Sequence, residues 1–116
     1  MIVAVQGTSS FDDYSVFLRA MGVALSSMPD SDTEFYIYSA GPARINSMVS
    51  EFSNISEKGL KSRGKKLKNY KVAPSWLSDN MDSVNYFVYL SKPKESVSKL
   101  VSEAQLKNVE VGIYRY

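Results

Sequence analysis

The feature that most constrains the fold is an alternation of short strand-like runs with longer helical stripes, repeated along all 116 residues. Ile2–Gln6 is an apolar run stopped by Gly7 and reads as a buried strand. After the polar turn Gly7-Thr8-Ser9-Ser10, the residues Tyr14, Phe17, Leu18, Met21, Leu25 and Met28 fall on one helical stripe. Asp12 and Asp13 suit the start of that helix, and Pro29 bounds its end. Phe35-Tyr36-Ile37-Tyr38 is a second strand. Pro42 can then open a second helix, striped by Ile45, Met48, Val49, Phe52 and Ile55 and extending toward the basic stretch beyond it. Tyr70–Ala73 is expected as a third strand and Ser83–Leu90 as a fourth, with no helix between them. Val97, Leu100, Val101 and Ala104 form a last helical stripe, and Val109, Val111 and Ile113 a last strand.

The resulting order, β-α-β-α-β-β-α-β, predicts a three-layer, Rossmann-like α/β domain with a mainly parallel sheet of about five strands. The length suits a single domain over 1–116, with no linker, repeat or low-complexity tract. Folds of this kind bind ligands beyond the carboxyl ends of the strands. Those ends are Gln6–Ser10, Ser39–Arg44, Pro74–Trp76 and Ser91–Ser96.

Composition narrows the chemistry further. The chain has no cysteine, which excludes a disulfide scaffold, a thiolate nucleophile and Cys-ligated metal centres. It has no histidine either, which removes the usual general base and the commonest metal ligand. No Asp-x-Asp-x-Asp-Gly loop is present, and Asp12-Asp13 and Asp30/Asp32 read as a helix start and a surface turn. No catalytic residue, metal ligand or cofactor is therefore assigned. The opening Met1–Val5 lacks a basic n-region and no run is long enough to span a membrane, so a cytoplasmic protein is expected.

The strand-end loops carry a resemblance. Gly-Thr-Ser-Ser-Phe-Asp-Asp-Tyr (7–14), Tyr-Ser-Ala-Gly-Pro-Ala-Arg-Ile-Asn-Ser (38–47) and Ala73-Pro74-Ser75-Trp76 together resemble the SLOG superfamily of Rossmann-like nucleotide-binding domains, in particular its small, single-domain YspA-like branch. The resemblance implies a nucleotide or phosphate site built from Gly7, Thr8, Ser9, Ser10, Ser39, Gly41 and Arg44. The superfamily's glycine-rich loop after the fourth strand is replaced here by Ser91-Lys92-Pro93-Lys94-Glu95-Ser96. Pro93 donates no N–H and no glycine allows close backbone approach, so Lys92 and Lys94 are expected to supply point charge instead. The phosphoribohydrolase signature is absent. The leading expectation is thus a non-catalytic or weakly catalytic domain that binds a nucleotide or nucleotide-derived ligand.

Charge supports an alternative. Residues 1–57 hold two cations and seven acids, whereas 58–78 hold seven cations (Lys58, Lys61, Arg63, Lys65, Lys66, Lys68, Lys71) and no acid. With Tyr70 and Trp76 beside it, this run could track a nucleic-acid backbone while rings stack on bases. Some members of the superfamily bind single-stranded DNA, which points the same way. An acidic protein surface, including that of a second copy in a homo-oligomer, would fit the charge equally. The alternative is an interaction protein, of a kind that would suit a phage genome as a host-directed or virion factor. It would use Lys61, Arg63, Lys65, Lys66, Lys68, Lys71 and Trp76. The chain's eight tyrosines are read mainly as packing, with Tyr114 and Tyr116 able to mark an exposed interface.

Overall fold

The computed structural model describes residues 1–116. Five strands alternate with helices: β1 (Ile2–Gly7), α1 (Tyr14–Ser26), β2 (Glu34–Ser39), α2 (Ala43–Ser62), β3 (Lys66–Lys71), α3 (Pro74–Asp79), β4 (Tyr86–Ser91), α4 (Lys99–Leu106) and β5 (Glu110–Arg115). A single 3-10 turn, Met81–Ser83, follows α3. The sheet order is β3-β2-β1-β4-β5 and every pairing is parallel. The fold is the three-layer Rossmann-like α/β arrangement that the alternation predicts.

Side chains alternate across a strand, so each strand feeds two cores. Val3, Val5, Phe35, Ile37, Leu67, Val88 and Leu90 face α1 and α2 and pack against Phe17, Met21, Ile45, Val49 and Phe52. Ala4, Phe87 and Tyr89 face the other way and pack against Leu77, Met81, Leu100, Val101 and Ala104. All six residues of β4 are buried, as expected for a central parallel strand covered on both faces.

The helices start and stop where local chemistry dictates. Asp13 caps α1, its Oδ1 accepting from Val16 N at 3.1 Å and Ser15 Oγ at 2.7 Å. Those two bonds hold the Asp13 carboxyl below its ordinary pKa, the Ser15 contact contributing most. Ser98 caps α4 by accepting from Leu100 N at 3.1 Å. Helix α2 runs on to Ser62, and Gly64 at φ +76° then turns the chain into β3.

Two expectations are corrected. The third strand spans Lys66–Lys71 rather than Tyr70–Ala73. It is an edge strand in which only Leu67 is buried, so lysines stand where a central strand would show apolar residues. The link from β3 to β4 is not bare: Pro74 begins α3, which with the 3-10 turn carries the chain to a parallel β4.

Candidate functional site

The order β3-β2-β1-β4-β5 reverses direction at β1. From β1 the chain moves outward through β2 to β3, then returns to lay β4 on the other side of β1. The crevice between the β1 and β4 ends is therefore the topological switch point, where such sheets receive ligands. The loops after β1 and β2 leave the same rim side by side, with Gly7 N donating to Gly41 O at 3.2 Å.

This crevice is occupied by the protein's own side chains. Glu95 reaches back from the β4 loop and accepts three hydrogen bonds. They come from Thr8 Oγ1 at 2.8 Å, Ser10 Oγ at 2.7 Å and Lys92 N at 2.6 Å. The donors hold the Glu95 carboxyl below its ordinary value, Ser10 contributing most, then the Lys92 amide and Thr8. Lys94, at φ +70°, makes the turn that aims Glu95 inward. Lys92 Nζ lies 3.8 Å from Asp12 Oδ2, a second tie between the two loops. Ser98 Oγ donates to Gln6 Oε1 at 2.7 Å, a third.

The neighbouring loop is satisfied internally as well. Asn46 on α2 accepts from Ser39 Oγ and, at 3.0 Å, from Gly41 N. Gly41 adopts φ +86°, which explains the glycine as a backbone requirement of the turn. Gly7 has a different reason. A Cβ there would lie 2.6 Å from Leu90 O and 2.9 Å from Ile45 Cδ1, so the glycine lets α2 press onto the seam between β1 and β4. Of the expected ligand residues, the structure gathers Thr8, Ser10 and Lys92 around Glu95 and pairs Ser39 and Gly41 with Asn46. Ser9, Arg44 and Lys94 stand exposed on the rim.

The second candidate surface is the β2–β3 half of the sheet. Helices α1 and α2 cover one face of this half. On the other face Tyr36 and Tyr38 of β2 lie beside Lys68 and Tyr70 of β3 in register. Trp76 of α3 lies over Tyr38, centroid to centroid 4.8 Å, and Tyr38 stacks on Tyr70 at 5.4 Å. Trp76 and Tyr70, at the ends of this three-ring ladder, are 38% and 43% exposed. Tyr36 donates to Glu34 at 2.5 Å, which lifts its hydroxyl to about 12 and engages the one acid on that strand. A cleft of about 150 Å³ adjoins the ladder, floored by Ile2 and Val84 and edged by Asn80 and Ser83.

Cations border the ladder. Lys66 and Lys68 are exposed on the edge strand and project on the same face as Tyr70. A cavity of about 440 Å³ runs between β3 and the end of α2, lined by Lys61, Lys65, Lys66 and Lys68 with Glu57 as its only acid. Lys65 is committed locally, donating to Asp32 O at 2.6 Å and Asp30 O at 3.3 Å. None of Lys58, Lys61, Arg63, Lys66, Lys68 and Lys71 enters an ion pair; the three salt bridges of the chain lie elsewhere. Of the predicted basic residues, Lys66 and Lys68 share the Tyr70 face with Trp76, Lys61 and Lys65 meet them at the edge cavity, and Lys71 has the opposite parity on β3. Tyr38 and Tyr36 join them through sheet register, which the linear sequence does not display.

No three or more acidic side chains converge in a way that could hold a metal ion, and no helix is long and apolar enough to cross a membrane. The chain matches no model of a known protein family, and no curated protein matches it.

Proposed function

We propose that this chain is a non-catalytic binding module that engages nucleic acid through the basic β3–α2 surface, on a Rossmann-like scaffold resembling the SLOG superfamily. One observation carries the reading: lysines without ion-pair partners line a cavity along an edge strand and continue onto the sheet face opposite α2. Unpaired cations beside a groove attract a polyanion and release its counterions on binding. The lysines also guard the free edge of β3 against pairing with another sheet. Edge protection alone, however, does not require Lys61 on α2 to converge on the same cavity.

The test is a titration of a fluorescently labelled 12-nucleotide strand at several salt concentrations. With about four cations engaged, log K should fall with log[salt] at a slope near −3 for a single strand, about −0.7 per phosphate contact. An affinity that ignores salt, or no binding at low salt, contradicts the reading.

A second reading, nucleotide binding at the switch point, is supported by the way Thr8, Ser10 and the Lys92 amide converge on one anion. In that reading Glu95 must give way to a phosphate. A rise in Tm with ATP or ADP-ribose that is lost in Arg44→Ala would support it. A flat response across nucleotides would leave the crevice as a structural tie.

A further inference from the structure

Resting on the nucleic-acid reading, we infer that the strand bound is single-stranded and that its bases stack on the Trp76–Tyr38–Tyr70 ladder while its phosphates follow Lys66, Lys68 and Lys61. The rings, Lys66 and Lys68 belong to one face of the sheet, and Lys61 of α2 meets the two lysines at the cavity on its edge. Tyr38 pairs in register with Tyr70, and Tyr36 with Lys68, so one face of β2 and β3 carries Tyr36 and Tyr38 beside Lys66, Lys68 and Tyr70.

Trp76 is brought to this face by α3, whose Leu77 is fully buried and anchors the short helix to the core. A rigid element therefore presents the tryptophan, and little ordering is needed on binding. Trp76 and Tyr70, 38% and 43% exposed and each packed on Tyr38, leave flat apolar area toward solvent. A base has a π-face that meets such a ring whatever its identity. In a duplex those faces are stacked and hidden, so a flat sheet surface would reach only the backbone. In an unpaired strand the bases can turn onto the rings while the phosphates lie over the lysines at the sheet edge.

Two acids border this surface. Glu34 accepts from Tyr36, and Glu57 is the only acid at the cavity. The chemistry recognised is that of an unpaired polynucleotide, and the experiment separates DNA from RNA.

Trp76 is the only tryptophan in the chain, so its fluorescence reports this face alone. The experiment titrates the protein with dT12, with U12 and with a 12-base-pair duplex, following Trp76 emission and, separately, anisotropy of the labelled strand. The expected result is quenching by dT12, U12 or both, with single strands bound at least 10-fold tighter than duplex. Trp76→Ala should weaken single-strand binding by about 5- to 100-fold, and Trp76→Phe should restore most of it. Tyr70→Ala should weaken it by less. Salt-dependent binding that is equal for duplex and single strand, with unchanged emission and no effect of Trp76→Ala, overturns the stacking inference while leaving the nucleic-acid reading in place. Binding to poly-glutamate as tight as to any oligonucleotide overturns both and assigns the surface to an acidic protein.

Discussion

Two regions of this molecule hold the polar groups expected to work, and they differ in whether those groups already have partners. At the switch point, Thr8, Ser10 and the Lys92 amide are all turned onto Glu95, and Ser39 and the Gly41 amide onto Asn46. At the β2–β3 face and its edge cavity, Lys66, Lys68 and Lys61 have no ion-pair partner, and Trp76 and Tyr70 stay partly exposed. A site that is satisfied from within gains little from a ligand, because each new hydrogen bond replaces an existing one. An unpaired cationic face gives up no protein partner when it meets a polyanion, and the counterions released favour the complex. The difference teaches that position in the fold does not by itself make a site; the state of its donors does.

The comparison can be broken most forcefully at the open face. Reversing Lys61, Lys66 and Lys68 to glutamate should reduce oligonucleotide affinity more than 100-fold at low salt, with an unchanged circular dichroism spectrum. The same triple change should leave the crevice's contribution to stability intact.

Next in size is the packing beneath the crevice. Gly7→Ala forces a methyl group against Leu90 O and Ile45 Cδ1. Thermal unfolding should show a loss of about 1–3 kcal/mol, or roughly 5–15 °C in Tm. An unaltered Tm would mean that α2 is not pressed onto the seam.

A smaller effect comes from the carboxylate that closes the crevice. Glu95 has a folded pKa below its ordinary 4.5, so the stability it confers is present above that value and disappears as pH falls through the lowered one. Glu95→Gln should lower Tm near neutral pH and flatten the acid limb of the Tm–pH curve, without altering oligonucleotide binding. Part of the acid sensitivity remains in that variant, because Asp13 is also held low by Ser15 and Val16.

The smallest effect sharpens the same point. Lys94→Gly removes the left-handed cost at φ +70° that positions Glu95, and should raise stability by at most about 1 kcal/mol.

How far the residues disclosed this in advance depended on the range of the interactions. The α/β order and parallel sheet were legible because Ile2–Val5, Phe35–Tyr38 and the stripe from Ile45 to Phe52 carry local periodicities. The local pattern around Tyr70–Ala73 lies several residues past the start of β3, because an edge strand needs only Leu67 inward and lysine conceals the pattern. The crevice loops were identified, yet their closure was not. Glu95 meets Thr8 and Ser10 across more than eighty residues of chain, and only the sheet order brings them together. A signal was nevertheless present: Glu95 is the single acid in a loop whose glycines are missing. Trp76 and the lysines were singled out by composition, whereas Tyr38 entered the surface through strand register with Tyr70.

The most direct measurement is a map of backbone and indole amide shifts when dT12 is added to isotopically labelled protein. Movements are expected to concentrate at Lys66–Lys71, Tyr36–Tyr38, Lys61 and the Trp76 indole, with Thr8, Ser10 and Lys92–Glu95 unmoved. Movements centred on the Thr8–Ser10 and Lys92–Glu95 loops, with a silent Trp76, would contradict it.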